Sequence, residues 1–594
     1  MKKLIALLLA LVMVIGLVAC GNANTPAQTE APKADAPAKD DAPAKDDASE
    51  EKTILAPEEL EDPYKYFTQF DEPQELHLVL AVGSDATGTL EGDDTIEDNW
   101  FTRWLLENYN IKVVYDWTAS SADAEQKMSM SISSDTLPDA MIVNPQQWKE
   151  MAKNGQLKDI TDLYNSVLCS PSFAQLYENA SGDVLAGCSY DGELLSLTAM
   201  TIATEGASVC MINKDWLDQL GLEPPKTVSD VYEIAKAFKE AKLAGDATIP
   251  ILGPGLTSSY SLTSMFNASA SVNIGLDAIF GAHDSYPGYF YKDESGEVVY
   301  GTLTQETRNA LETLAKWYAE GLIDPEIGIR QDCWAPISAN ECGMFFGGWW
   351  NIGFGNPASF ANDPDANWQA YEIRTEDGKW FTKIPDITAM SRFCISADAT
   401  DEAAMAAMIA VSLLYDPVSQ NFNTLTSEDI ALYPLRLVCA AEDFVDRGTE
   451  TAIAVLNGEL DKDTYSDDLL YNEIWQSTQY AQELIPGWEG DVFALSAQDF
   501  VISDENINWQ ALYSWLIGNR PFATQERDKT VVPCISYMTE SMEMYWDNLL
   551  TAEQTMMLSI ITGSADITAF DAFVDQWMAE GGETILAEVK AEVG

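Results

Sequence analysis

The chain has 594 residues, with 33 Lys and Arg against 95 Asp and Glu and a formal net charge of −62. So acidic a surface repels nucleic acid and the phosphates of membranes and cell walls, which argues against electrostatic binding to either, although a local pocket can differ from the average. The length exceeds what one hydrophobic core supports, so two or three lobes are expected.

The chain begins with Lys2 and Lys3, an apolar run from Leu4 to Leu17, and then Val18, Ala19 and Cys20. This is the layout of a secretory signal, and the run is too short to span a bilayer. The small residues before Cys20, with Gly21 after it, resemble a lipoprotein lipobox, which implies that Cys20 becomes the lipid-bearing N-terminus of the mature protein. Residues 21–62 follow as an Ala/Pro/Lys/Asp segment containing the repeat APAKDD at 36–41 and again at 42–47. With almost no large apolar side chain it cannot offset the entropy of ordering, and it reads as a disordered tether. The first 55 residues hold six lysines and eight acids, so nearly all the negative charge lies in the body.

That body opens with strand-like residues 75–82, a turn-forming loop at 83–88, helical apolar spacing through Ile96, Trp100, Trp104, Leu105 and Tyr109, and a second strand at 111–115. Residues 123–134 read as a helix, and the apolar run 140–143 as a strand after the Leu137-Pro138-Asp139 turn. Alternating short strands and helices predict an α/β architecture with a mostly parallel sheet, ligands binding outside the carboxyl ends of its strands. The loops 83–88 and 144–148 both follow such strands and should open on one crevice.

A series of phrases then runs in order along the chain: GQLKDITDL at 155–163, YDGELLSL at 190–197, MINKDWLDQLGL at 211–222 with PPKT at 224–227, WYAEGLIDP at 317–325, NECGMFFGGWW at 340–350, and IITG at 560–563 before Phe570 and Asp571. Taken together behind a lipobox, they resemble the family 1 extracellular solute-binding proteins, the maltose-binding-protein-like receptors of bacterial ABC importers, and within them the larger lipoprotein branch linked to oligosaccharides. The resemblance implies a two-lobed periplasmic-binding-protein fold with a ligand cleft and a hinge between the lobes. Laid on this chain it gives a signal peptide at 1–20, the tether at 21–62, lobe 1 at 63–200, lobe 2 at 201–388, a return to lobe 1 at 389–430, and a C-terminal helical segment at 431–594 mainly against lobe 2. The crossings would lie near 197–208 and 384–390.

A sugar offers C–H faces that suit an aromatic plate and hydroxyls that suit oriented polar groups. The chain has 17 Trp to supply plates. Trp349 and Trp350 occupy the place where the resemblance puts a stacking tryptophan; on a strand adjacent side chains face opposite ways, so one would stack and the other pack inside. Ser84 and Asp85 after the first strand, and Asn144 and Gln146 after the third, are candidate polar contacts, with turn formation or helix capping as the alternative reading. Glu205, in the first crossing, is either a ligand-facing acid or half of a salt bridge across the hinge. Trp148, Trp334 and Tyr260 are weaker candidates, with core packing as the favoured reading.

The resemblance implies a carbohydrate ligand, ABC permease subunits as partners, a membrane link through Cys20 alone, no nucleic acid, no cofactor, no catalytic group and a monomer at the outer face of the cell membrane of a bacterium lacking an outer membrane. Rival readings are the same receptor binding a peptide, a polyamine or another small solute, and an exported glycoside hydrolase, for which paired carboxylates in so acidic a chain carry no weight. Nucleophile-elbow, zincin and Walker motifs do not occur. The two histidines and the scattered body cysteines do not suit an ordinary zinc site; the eight cysteines after Cys20 are either partly paired or free and buried. Asp461, Asp463 and Asp467 begin like a calcium loop, but there is no glycine at the sixth position and Asn472 stands at the twelfth, so no metal is expected.

Overall fold

The computed structural model describes residues 69–593 apart from 83–89, 91–93, 181–183, 201–206, 256–273, 384–390, 416–431, 442, 462–464, 466–471, 504–505 and 536. Cys20 and the tether therefore lie outside the described residues. No described helix is long and apolar enough to cross a membrane.

The chain enters as β1 (Gln74–Val82), α1 (Trp100–Tyr109), β2 (Ile111–Ser120), α2 (Ser121–Ser134), β3 (Ala140–Val143) and α3 (Pro145–Lys153). Asn99 caps α1 by accepting from the Phe101 and Thr102 N–H groups, and Asn110 ends it in the left-handed conformation at φ 53°. α3 starts where Asn144 and Gln147 form a capping box ahead of Pro145, a set of residues that satisfies the first orphan N–H groups of a helix. After β4 (Leu197–Thr198) comes β5 (Ser208–Asn213), then α4 (Val228–Ala241), β6 (Ile249–Ile251), α5 (Gln305–Ala319), β7 (Cys342–Gly348) and β8 (Trp368–Tyr371). The return adds β9 (Arg392–Ile395) and α6 (Asp401–Ser412), and the C-terminal part adds α7 (Phe444–Leu456), α8 (Glu540–Ile561), α9 (Thr568–Trp577) and α10 (Glu583–Val593).

The nine strands named here fall into three sheets, one parallel, one antiparallel and one mixed, which corrects the expectation of a mostly parallel sheet. In lobe 1, β1 and β2 are parallel, but β9 lies between β3 and β4 and runs antiparallel to both. The Asp139 N–H donates to the His77 carbonyl at 2.9 Å and ties β3 to β1. In lobe 2 the order is β8-β5-β7-β6, with only β7 and β6 parallel. The physical reason is that strands beside a crossing carry the chain out of one lobe and back again, so they run against their neighbours. Reading successive strand–helix units registers the parallel pairs but cannot show a return from distant sequence.

Side-chain alternation separates the cores. Along β5, Val209 and Met211 join one buried cluster, with Phe345, Trp368 and residues from α6, α7 and 509–517. Their neighbours Cys210 and Ile212 point through the sheet into another, with Val231, Ile234 and Phe238 of α4, Leu311 and Leu314 of α5, and Trp546, Met557 and Trp577 of the C-terminal helices. Period-2 alternation thus puts both faces of β5 in a core, as expected of a strand covered on both sides. The step from a return at 389–430 to a C-terminal segment on lobe 2 needs a further passage between lobes, which was not placed among the crossings. The Ala440 N–H donates to the Met200 carbonyl at 3.1 Å, and Cys439 bridges Met200 in parallel, so 437–441 runs beside the first crossing before α7 packs on lobe 2.

Charges are buried beside the start of the 384–390 segment. Lys383 pairs with Asp277 at 2.9 Å and donates to the Pro287 carbonyl at 3.0 Å. Glu553 of α8, fully buried, accepts from the Tyr300 hydroxyl at 2.6 Å and the Thr302 hydroxyl at 3.0 Å. Burial raises the Glu553 carboxyl to about 7, against the bonds that favour its charged form. No disulfide joins the eight body cysteines, and burial pushes the Cys169 and Cys333 thiols up to about 12. They behave as small apolar side chains.

Candidate functional site

At the carboxyl ends of β1 and β3 lies a cavity of about 380 Å³. Its floor is Val79, Leu80 and Ala81 of β1 with Ile142 and Val143 of β3, and its walls are Trp117 of β2, Glu125 and Met128 of α2, Asn144 and Gln147 at the start of α3, Ser391 before β9, and Pro434 and Arg436 just ahead of the 437–441 passage. Strand ends position short polar groups here while helix starts supply capped amides, which is the arrangement expected at a switch between crossings.

Asn144 acts in two ways. Its Oδ1 accepts from the Gln147 N–H at 2.8 Å, capping α3, while its Nδ2 donates to Glu125 Oε1 at 2.8 Å. Gln147 Nε2 donates to the Glu125 carbonyl at 3.1 Å and meets the Ser129 hydroxyl at 3.3 Å. One carboxylate and two amides are thereby fixed in orientation at a wall that also carries the Trp117 indole, with Lys127 Nζ 5.4 Å from its centre. Behind Ser391, the buried Arg392 donates to the Gly187 carbonyl at 2.8 Å and stacks on Trp148 at 4.2 Å, holding the start of β9. Trp148 is buried in lobe 1, as expected of a core residue.

Gln146 does not line this cavity. Its Oε1 accepts from the Met538 N–H at 3.1 Å and its Nε2 donates to Glu543, so it reaches across to the C-terminal helices. Trp349 and Trp350 lie elsewhere, on a 3-10 turn at Trp349–Ile352 beyond the end of β7, not on the strand whose alternation would have split them. Successive side chains on such a turn fan out by about 120°, so the turn does not put the two rings on opposite faces. Trp349 is buried and Trp350 half-buried, and the Trp350 carbonyl accepts from the Ser514 hydroxyl at 3.1 Å. Gly518 permits the approach, since a methyl there would collide with the Trp349 carbonyl. The indole N–H groups of Trp349, Trp350 and Trp515, and both amide atoms of the buried Asn356, have no hydrogen-bond partner among the described residues. Buried donors of this kind carry a desolvation cost that a hydroxylated ligand could relieve. Trp334 packs edge-on against Phe345 at 6.1 Å.

Ser84, Asp85, Glu205 and Tyr260 lie outside the described residues, as does most of the Asp461–Asp467 turn. Among the described residues no three His, Cys, Asp or Glu side chains group to hold a metal ion. The sequence reading missed Trp117, Glu125, Gln147, Ser391, Pro434 and Arg436. Trp117 was not within reach of period-2 counting, because the pairing shifts register between Leu78 and Val79, so Tyr115 and Trp117, which pair with them, face different cores. Arg436 carries no local signal, because only the return passage brings it to β1.

Comparison with known proteins adds sequence and fold relatives. Residues 87–386 match the profile of the family described as bacterial extracellular solute-binding protein. The fructooligosaccharide ABC transporter substrate-binding protein FusA of Streptococcus pneumoniae is 29% identical over 144 residues, covering 22% of this chain and 26% of that protein. Lipoprotein LipO of Bacillus subtilis is 25% identical over 247 residues, covering 40% and 45%. The chain thus spans less than half the length of these curated relatives. Among solved structures, an HMO-binding ABC-transporter-associated solute-binding protein from Bifidobacterium longum infantis aligns with TM-score 0.56 at 15% identity over 88% of this chain and 98% of that one. The S. pneumoniae FusA EF-hand mutant in complex with fructo-nystose aligns with TM-score 0.52 at 14% identity over 88% and 99%. At such identity these two speak for the two-lobed α/β fold, whereas the profile match covers half of the chain; the protein belongs to the bacterial extracellular solute-binding protein family.

Proposed function

We propose that this chain is the receptor of an ABC importer, capturing an extracellular carbohydrate, an oligosaccharide, by closing its lobes and delivering it to membrane permease subunits. The observation that carries the reading is the cavity at the ends of β1 and β3, where Trp117 offers a plate and Asn144, Gln147 and Glu125 offer fixed donors and acceptors. Two relatives, FusA and the Bifidobacterium protein, are named for oligosaccharide or HMO binding, which supports the same class here. Trp349 and Trp350, whose indole N–H groups have no partner among the described residues, are proposed as a second set of contacts, and Ser84, Asp85 and Glu205 as further polar contacts. Gln146, bonded to the Met538 N–H and Glu543, is not among these contacts.

Catalysis is not part of this reading. The protein is a monomer anchored through Cys20 at the outer face of the membrane, and the tether raises the local concentration of loaded receptor at the permease. A thermal-shift screen of oligosaccharides against peptides and polyamines tests the ligand class: stabilisation by oligosaccharides is expected, and stabilisation by peptides or polyamines alone would overturn it. Release of reducing ends from the same sugars would overturn the receptor reading. Cys20→Ser should move the protein from the cell surface into the medium, whereas unchanged retention would refute the anchor.

A further inference from the structure

Among the described residues, two charged side chains line the cavity at the ends of β1 and β3, Glu125 and Arg436. In a chain with 95 Asp and Glu against 33 Lys and Arg, composition alone would fill such a wall with carboxylates. The arginine is also firmly placed. Just ahead of it, Leu432 and Tyr433 are buried with Leu80 of β1 and Phe101 of α1. The Tyr433 ring meets Phe101 edge-on at 5.5 Å, and its hydroxyl donates to the Ala410 carbonyl of α6. Leu435 and Leu437, on either side of Arg436, are wholly buried in the cluster that β5 shares with α6, while Arg436 itself is half-buried. Glu125 is held differently. Its Oε1 accepts from Asn144 Nδ2 at 2.8 Å, and Gln147 Nε2 donates to its carbonyl at 3.1 Å, so the acid is built into a wall of amides.

We propose that Arg436 sets the specificity of this cavity by receiving a ring carboxylate, so that the oligosaccharide taken up is an acidic one containing uronic acid units. This rests on the reading of the chain as a carbohydrate receptor. A guanidinium meets a carboxylate through two parallel N–H···O bonds, a fit that a neutral sugar hydroxyl does not offer. Trp117 then takes the C–H face of the ring, and Glu125, Asn144 and Gln147 take its hydroxyls, for which an acceptor already fixed by an amide is suited. A side chain whose backbone is anchored on both sides also has less freedom to lose on binding. The acidity of the body limits how much negative charge a ligand can carry. At a net charge of −62 every added ligand charge is opposed, so the single charge of a uronate is tolerated better than the roughly −1.5 to −2 of a phosphate ester at pH 7.

Isothermal titration of the full chain with matched oligosaccharides tests this. The probes are oligomers of galacturonate, glucuronate and mannuronate, each against the galactose, glucose or mannose oligomer of the same linkage and length. At least one acidic oligomer should bind about tenfold or more tighter than its neutral counterpart. Arg436→Gln should erase that ratio by weakening the acidic member, and Arg436→Lys, which keeps the charge without the fork, should leave an intermediate ratio; melts of the free variants verify that they fold. Galacturonate should also bind more tightly than galactose 6-phosphate. Neutral members equal to or tighter than acidic ones in every pair would overturn the proposal, and so would no binding by any acidic oligomer. An unchanged ratio in folded Arg436→Gln, or a preference for the phosphate, would overturn it too. Because the neutral members report sugar binding by themselves, the acidic preference can fail while the carbohydrate reading stands, whereas stabilisation by peptides or polyamines alone would remove both.

Discussion

Glu553 is a residue whose behaviour follows from its surroundings alone. A carboxyl raised to about 7 in the folded protein and titrating near the ordinary value when unfolded favours folding most below about pH 4.5. That contribution falls away as pH rises through about 7. Melting wild type and Glu553→Gln between pH 5 and 8 should show the wild type losing stability relative to the variant as pH rises; parallel curves would show that Glu553 does not titrate there. In the cavity, Trp117→Ala should lower affinity for the oligosaccharide found in the screen by about tenfold or more, some 1.4 kcal/mol, without changing the melt of the free protein. Isothermal titration would read the first and calorimetry the second. The residue scale is also where sequence reading was weakest. Asn144 was legible because a strand, a polar residue and a proline-led helix adjoin in the chain, and the structure gives it a capping role and a place in the cavity wall together. Arg436 and Ser391 were not, because each reaches the cavity from a segment with no local mark of purpose.

Elements follow local chemistry more closely. α4 begins with a capping box between Thr227 and Asp230, and its buried residues Val228, Val231, Ile234, Ala235 and Phe238 recur at helical spacing. Thr227→Ala should cost about 1 kcal/mol, measured as a lower urea midpoint at unchanged slope. The contact between the Trp349–Ile352 turn and Gly518 is tighter, since any side chain at 518 collides with the Trp349 carbonyl. Gly518→Ala should destabilise by about 1–3 kcal/mol and alter the near-ultraviolet circular dichroism of the adjoining tryptophans; an unchanged spectrum would place the strain elsewhere. Helix and strand existence was readable from periodicity and caps, and α1, α2, β1 and β3 lie close to where spacing puts them. The partners of those strands were not readable, since β9 reaches β3 and β4 from a segment that says nothing of its neighbours.

For the whole molecule, charge dominates. A net charge of −62 opposes compaction, and salt screens that repulsion over about 10 Å at 0.1 M. The melting temperature should therefore rise between 10 mM and 300 mM NaCl, and a fall would mean that attractive pairs such as Arg330–Asp324, at 2.6 Å, outweigh the repulsion. By itself the sequence determined the α/β class, the solute-binding family and the acidity of the body, because these rest on composition, periodicity and short ordered motifs that need no knowledge of contacts. Tertiary structure alone decided the strand directions in the sheets, the passage at 437–441, the walls of the cavity and the engagement of Gln146 with Glu543. These depend on which distant segments meet, and that is set by the burial of both faces of β5 and the return of the chain between lobes, neither of which leaves a local trace.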